Sequence, residues 1–366
     1  MSDGEYGLAA VSSLSVRAAV WALAAAAILA FDLPARACPC GPGCSCGPAC
    51  ACAAPLRVRK NQNSLSEQEK QDFVSAVLRL KATFRPGSTL SIYDQFVQQH
   101  GESFTAGHAH AGPAFLPWHR QFLLQFEREL QQVNPNVTIP YWDFTVDRTP
   151  DASLWRPDFL GGNGDPAEGF AVTDGPFRRG EWVLVFDGPD LRRNFGRLVP
   201  ELPTPDDVKA ALDVGRYDAP PYNRLSPVDQ SFRNNLEGFN HPTFFPELHN
   251  RVHLWLGGSS EIIYSPNDPV FWLLHANIDR LWAEWQAKHD PDYLPVMGAQ
   301  EGHNLHDRMS PFGVAPADVL DHHALGYRYD TEPAVVPAPG GLALLALGAL
   351  GLLGWQRGRR AKARDR

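Results

Sequence analysis

Beyond residue 52 the chain contains no cysteine. All six, Cys38, Cys40, Cys44, Cys46, Cys50 and Cys52, fall within 15 residues near the start. Whatever folds downstream therefore needs neither a disulfide nor a thiolate ligand. A basic stripe is also missing. Of the formal net charge of −8, residues 1–56 carry −1 and residues 331–366 carry +4, which leaves −11 on 57–330. An acidic body of this kind does not seek phosphate backbones, so no nucleic-acid partner is expected. Long apolar runs are scarce as well. The stretches 18–31 and 342–355 hold 14 residues each, short of the roughly 20 that a spanning helix requires. What is abundant is glycine (31), proline (32), histidine (13) and tryptophan (10) in 366 residues. That is enough chain to bury a sizeable core, and its composition predicts modest helices joined by many loops.

Both ends read as targeting segments. Arg17 precedes the apolar run 18–31, and Ala35-Arg36-Ala37 offers an A-x-A cleavage site, which predicts a signal peptide over 1–37. A buried or interfacial helix is the competing reading. The segment 38–56 carries three C-x-C pairs spaced by Gly-Pro. Such thiolates suit Cu(I), although disulfides or simple low-complexity drift account for them equally well. At the other end, Val336-Pro337-Ala338-Pro339-Gly340, the apolar stretch and the tail RGRRAKARDR resemble a PEP-CTERM sorting signal, with Ala338 where the usual Glu stands. A plain membrane-anchoring helix is the alternative for 331–366. Both ends predict an exported protein, in the periplasm, at the envelope or outside the cell.

Between them, the histidines carry the chemistry. Ser66-Glu67-Gln68-Glu69 is a capping box that opens a helix with Phe73, Val74, Val77 and Leu78 on one face. Tyr93, Phe96 and His100 share the apolar stripe of a second helix. His119, Leu123, Phe126 and Leu130 share that of a third, which starts near Pro117 and stops at Asn134-Pro135. From about 145 to 235 no helical period is sustained, and the chain reads as a long surface excursion. His249 and His253 then lie four apart, on the same side of a helix that Gly257-Gly258 ends. His275, Ile278, Trp282 and Trp285 follow on one face of a last helix opened by Pro266-Asn267-Asp268-Pro269.

A single histidine on an apolar face is usually a hydrogen-bonded core residue. Here four helices or their entrances each turn histidine inward, with His110 on the loop before His119. Each buried imidazole left unsatisfied would cost about 1–3 kcal/mol, and a shared metal removes that cost. Imidazole suits zinc, copper, nickel and iron alike. The residues between His249 and His253 are Asn250, Arg251 and Val252, so the general-base Glu of an H-E-x-x-H zinc hydrolase is absent. Two all-histidine triads favour a redox metal, with copper leading.

The segments YDQFVQQH, HAGPAFLPWHRQFLLQFEREL, IPYWDFT, LHNRVHLWLGG and SPNDPVFWLLHANIDRLWAEWQ resemble the type-3 copper proteins, most of all bacterial tyrosinases, over about 57–330. Tyr327-Arg328-Tyr329-Asp330 is similar to the Tyr-x-Tyr close of that catalytic domain. The resemblance implies a mainly α-helical domain, a four-helix bundle holding a dinuclear copper centre with long surface loops. It implies His100, His110 and His119 as ligands of one copper, and His249, His253 and His275 as ligands of the other. It also implies ortho-hydroxylation of monophenols and oxidation of o-diphenols to o-quinones with O2. Asn250, after the first ligand of the second copper, and Glu237 are the implied pair that holds a phenol-deprotonating water. His108 stands two residues before His110, where some fungal relatives have a thioether-forming cysteine. Leu274 replaces a histidine usual before the last ligand. Ile263 and Tyr264 are expected near the pocket mouth, where a large side chain would narrow the site. Catechol oxidase or o-aminophenol oxidase activity is the alternative within the same six-ligand frame. A haemocyanin-like oxygen carrier is the alternative of another class, and would need a shielding domain not expected here. A copper-delivery partner is also among the expectations, and the Cys repeat is a candidate delivery arm.

Overall fold

The computed structural model describes residues 55–239, 247–261, 263–289, 292–293 and 295–333. The sequence readings of 1–37, of nearly all of 38–56 and of the tail from 334 lie outside these residues.

Seven α-helices, seven short 3-10 helices and a two-stranded parallel sheet make up the regular structure among the described residues. Helix α1 (Glu67–Lys81) starts with the expected capping box: the Ser66 hydroxyl accepts from the Glu69 N–H, and the Glu69 carboxylate accepts from the Ser66 N–H. Helix α2 (Ile92–Thr105) is capped by Ser91. Helix α3 (Phe115–Val133) admits Pro117 in its first turn, where no intrahelical N–H is required. Helices α4 (Pro205–Leu212), α5 (Phe232–Glu237), α6 (Leu248–Leu256) and α7 (Val270–Lys288) complete the set. Gly257 ends α6 at a φ of 64°, which a side-chain-bearing residue rarely adopts.

Helices α3 and α7 form the spine. They pack against each other, α1 against α2 and α3, and α6 against both α5 and α7. Both spine helices bury most of their side chains, and their contact is aromatic: Phe126 stacks on Trp272 with ring centroids 3.5 Å apart. Around this spine, α2, α3, α6 and α7 supply helical positions for five of the six expected ligand histidines.

The two strands, β1 (Arg57–Arg59) and β2 (Tyr327–Tyr329), pair Arg57 with Tyr327 and Arg59 with Tyr329, so the two ends of the described domain meet. Arg59 is fully buried and donates to Glu127 of α3 and to Asp279 of α7. Arg120 joins Asp279 from α3, and the Tyr327 and Tyr329 hydroxyls donate to the same carboxylate. Each buried charge thus has an opposite partner, the condition under which burial is tolerated.

The stretch 145–235 departs from its sequence reading in two respects. It contains α4, opened by Pro205 and a Thr204–Asp207 capping box. It is also anchored inward rather than laid over the surface. Trp155, Phe159, Leu160, Phe177, Trp182 and Leu191 are buried, and Arg193 forks onto both oxygens of Asp268 while donating to the carbonyls of Leu160, Gly161 and Gly162. Isolated aromatics and the buried Arg193 and Arg233 leave no periodic trace, so pattern reading sees only a loop.

Candidate metal centre

Six histidines converge in two groups. The candidate ligand atoms of His100, His110 and His119 lie within 4.8 Å of one another, as do those of His249, His253 and His275. The groups adjoin: the His119 and His275 rings stack at 4.2 Å between centroids, tilted by 14°. His100, His119, His249 and His275 are buried, while His110 and His253 are half-buried. Helix α2 supplies His100, α3 His119, α6 His249 and His253, and α7 His275; His110 sits on the α2–α3 loop.

Hydrogen bonding to the main chain sets which nitrogen is free. His100 Nδ1 lies 2.7 Å from the Ile263 carbonyl, His119 Nδ1 2.8 Å from that of Phe115, and His253 Nδ1 2.7 Å from that of Ser260. His249 Nδ1 faces the Glu237 carbonyl at 3.2 Å and Asn250 Oδ1 at 3.0 Å. A carbonyl oxygen only accepts, so each Nδ1 carries the proton and each Nε2 presents a lone pair. Nevertheless His249 Nε2 lies 3.0 Å from His253 Nε2 and 3.2 Å from His275 Nε2. The lone pairs of His249 and His253, facing one another at 3.0 Å, repel unless a cation sits between them. His100 Nε2 and His119 Nε2 are buried without a hydrogen-bond partner. The residues therefore fit two metal ions, each held by three imidazoles.

Electrostatics agrees. Burial pulls His100 down to about 3 and His253 to about 4. Burial, with the neighbouring imidazoles adding to it, holds His110, His119, His249 and His275 well below the ordinary 6.5. All six are neutral at physiological pH, the form that binds metal.

A cleft of about 1060 Å3 opens over the two groups, with His100, His110, His249 and His253 in its wall. Glu237 and Asn250 line it as well, as do Ile263 and Tyr264. The Glu237 carboxylate is fully buried, accepts from the Ala111 N–H, and pairs with Arg233 Nη1 at 3.0 Å. Burial raises it to about 7 against the opposing pull of Arg233 and of that N–H. A Cβ on Gly238 would stand 2.0 Å from the Glu247 carbonyl oxygen and 3.0 Å from Asn250 Cβ, so glycine lets Glu237 approach the second group. Tyr264 stacks on Phe186 at 4.9 Å. Its ring lies where a Cβ on Gly101 would be, at 2.3 Å, directly behind His100. His108 is half-buried beside the cleft loop, and Leu274 is fully buried and offers no hydrogen bond next to His275.

Two supporting residues escaped the sequence reading. Arg233 stands four before Glu237, a spacing that does signal an ion pair. His303 gave no signal: it lies in an aperiodic segment, yet its Nε2 meets the Gly107 carbonyl at 2.9 Å and its Nδ1 accepts from the Ala114 N–H at 3.2 Å. It thereby ties both ends of the loop that carries His110. Within that loop Ala111 adopts a φ of 58°, a conformation that costs of order 1–3 kcal/mol and persists only where the surroundings hold it.

Comparison with known proteins agrees with this geometry. Residues 90–288 match the common central domain of tyrosinase. The tyrosinase of Streptomyces glaucescens is 47% identical over 291 residues, covering 76% of this chain and all of that protein. The grixazone synthase of Streptomyces griseus is 42% identical over 313 residues, covering 75% and 99%. Among solved structures, a polyphenol oxidase from Thermothelomyces thermophila superposes with a TM-score of 0.58 at 23% identity, covering 75% of this chain and 88% of that one. An octopus hemocyanin functional unit gives 0.52 at 22%, covering 75% and 68%. Both share the fold. With two histidine triads side by side and this likeness running over three quarters of its length, the chain belongs to the tyrosinase family.

Proposed function

We propose that this tyrosinase-type copper oxidase ortho-hydroxylates monophenols and oxidises the resulting o-diphenols to o-quinones. His100, His110 and His119 hold one copper, and His249, His253 and His275 the other. The observation that carries the reading is the convergence of unprotonated Nε2 atoms under an open cleft. When bound, the copper pair supplies the redox chemistry that brings O2 to a phenol ring. The protein's own residues do the rest. Main-chain carbonyls fix the rings of His100, His119, His249 and His253, and the apolar packing of Phe115 and Phe271 against the histidines keeps the inner wall dry. Glu237, poised near neutral pH at the cleft wall, takes the phenol proton, directly or through a water held with Asn250.

The test is O2 uptake by the copper-loaded full chain on a simple monophenol freed of trace catechol. Uptake with quinone formation is expected. Glu237→Gln should lower monophenol turnover by about 10²–10⁴-fold and leave catechol oxidation within a few-fold. Equal losses on both substrates would remove the proton-transfer role. Uptake on catechol alone by the unaltered chain would make it a diphenol oxidase.

The chain is also proposed to be exported, with 1–37 as signal peptide and 331–366 as sorting or anchoring segment. Determining the N-terminal residue of the protein recovered from its native cells tests this: a mature start near Cys38 is expected, and an intact start at Met1 would refute it. Copper delivery through the Cys repeat, and anchoring through the tail, are proposals on the same footing.

A further inference from the structure

Outside the cleft, one more cluster of metal-binding donors stands in the described domain. His322 and His323 lie in the turn before β2, and Glu332 lies three residues after it. His322 Nε2 is 3.0 Å from Glu332 Oε1, His323 Nε2 is 2.5 Å from Glu332 Oε2, and the three donor atoms fall within 4.8 Å of one another. Nothing in the tyrosinase reading uses them.

We propose that His322, His323 and Glu332 form a mononuclear site for a divalent transition ion, Zn(II) or Cu(II), separate from the dinuclear centre. Two features favour an ion over a plain hydrogen-bonded pair. First, both imidazole Nε2 atoms converge on one carboxylate, so two ring nitrogens and one carboxylate face a common point. That donor set, two nitrogens and an oxygen of borderline softness, suits zinc and copper(II). Metal bonds of about 2.0–2.2 Å place such donors a little over 3 Å apart. His322 and Glu332 already stand so, and the exposed His323 ring needs only a small outward swing.

Second, the donors are held in place. Asp321 Oδ1 accepts from the His323 and Ala324 N–H groups, and the Gly326 N–H donates to the His323 carbonyl, which together fix the turn. Glu332 Oε1 also accepts from the Tyr329 N–H at 2.7 Å. The His322 ring packs between the rings of His323 and Tyr327. Arg328 donates to the Glu332 carbonyl rather than to its carboxylate, which stays with the histidines. Three protein ligands leave room for water, as an exposed site requires. An ion here would pin the turn to the segment that leaves β2, and so lock the strand whose tyrosines reach Asp279.

The experiment is zinc retention by the copper-loaded full chain after gel filtration, counted by elemental analysis. The unaltered protein is expected to keep one more zinc per chain than the variant His322→Gln/His323→Gln, and Glu332→Gln should lose that same equivalent. Zinc taken up by the Cys repeat cancels, because it is common to all forms. Oxidation of catechol should not change, since none of the three residues touches the cleft. His323→Gln alone alters an exposed ring and serves as the control for folding. Added Cu(II) should give an isolated-copper electron spin resonance signal with the unaltered chain and none with this variant. Equal zinc counts, or an equal signal, would overturn the proposal.

Discussion

His253→Ala is expected to leave one copper in the two histidine triads where the unaltered protein is expected to hold two, and to lower O2 uptake on both monophenol and catechol by more than about 100-fold. The magnitude follows from a lower bound: even outer partners of a metal-ligating histidine are worth about 10–100-fold in affinity or activity, and His253 would be a direct ligand. Its Nε2 faces that of His249 at 3.0 Å, with its Nδ1 proton committed to the Ser260 carbonyl. Alanine removes one of the three converging imidazoles and leaves two, too few to retain the ion. Half-burial at the cleft wall means the gap fills with water, so the fold should survive. Elemental analysis and oxygen electrode traces on the same preparation decide the matter. Two coppers with undiminished uptake would remove His253 from the ligand set.

Asp279→Asn is expected to cost about 3–5 kcal/mol of unfolding free energy, the range for breaking a buried ion pair by removing one partner. The carboxylate takes Arg120 Nε at 2.6 Å, Arg59 Nη1 at 3.2 Å, and the hydroxyls of Tyr327 and Tyr329 at 2.6 Å each. It lies one helical turn beyond His275, and Arg120 directly follows His119, so the same contacts hold α3 and α7 in the register that stacks those two histidines. Burial alone would push the Asp279 carboxyl up, but Arg120 and Arg59 overcome it and hold the group below its ordinary range. A depressed carboxylate contributes its full stabilisation above the unfolded value of about 4, and loses it as pH falls below that value. The difference between the two proteins should therefore be flat from about pH 5 upward and shrink in acid. Urea denaturation of both forms at pH 5, 7 and 8 measures it. A penalty under about 1 kcal/mol would show that the two strands do not clasp the spine.

Much of the site was legible because helices advertise themselves. His100 shares its stripe with Tyr93 and Phe96, and His249 and His253 are four apart, so periodicity alone turns them inward. The Ser66 box and Gly257 marked their helix ends for the same local reason. His110 was harder, because a loop has no period, and only likeness to known motifs implied it. Glu237 lies twelve residues before His249, and nothing in that separation says that the two meet.

By itself, then, the sequence determined helices α1, α2, α3, α6 and α7, their inward histidines, the all-imidazole donor set and the acidic charge of the domain. All of these follow from side-chain type and local spacing. Tertiary structure alone decided how the rings are aimed and which nitrogen is free. The acceptors that settle this are main-chain carbonyls of Ile263, Ser260, Phe115 and Glu237. Every residue carries a carbonyl, so these acceptors leave no mark in the sequence until the fold brings them to an imidazole. The same holds for His303 beneath the His110 loop and for Arg59 meeting Asp279 across 220 positions. Partners that distant are chosen by packing, which local pattern does not encode.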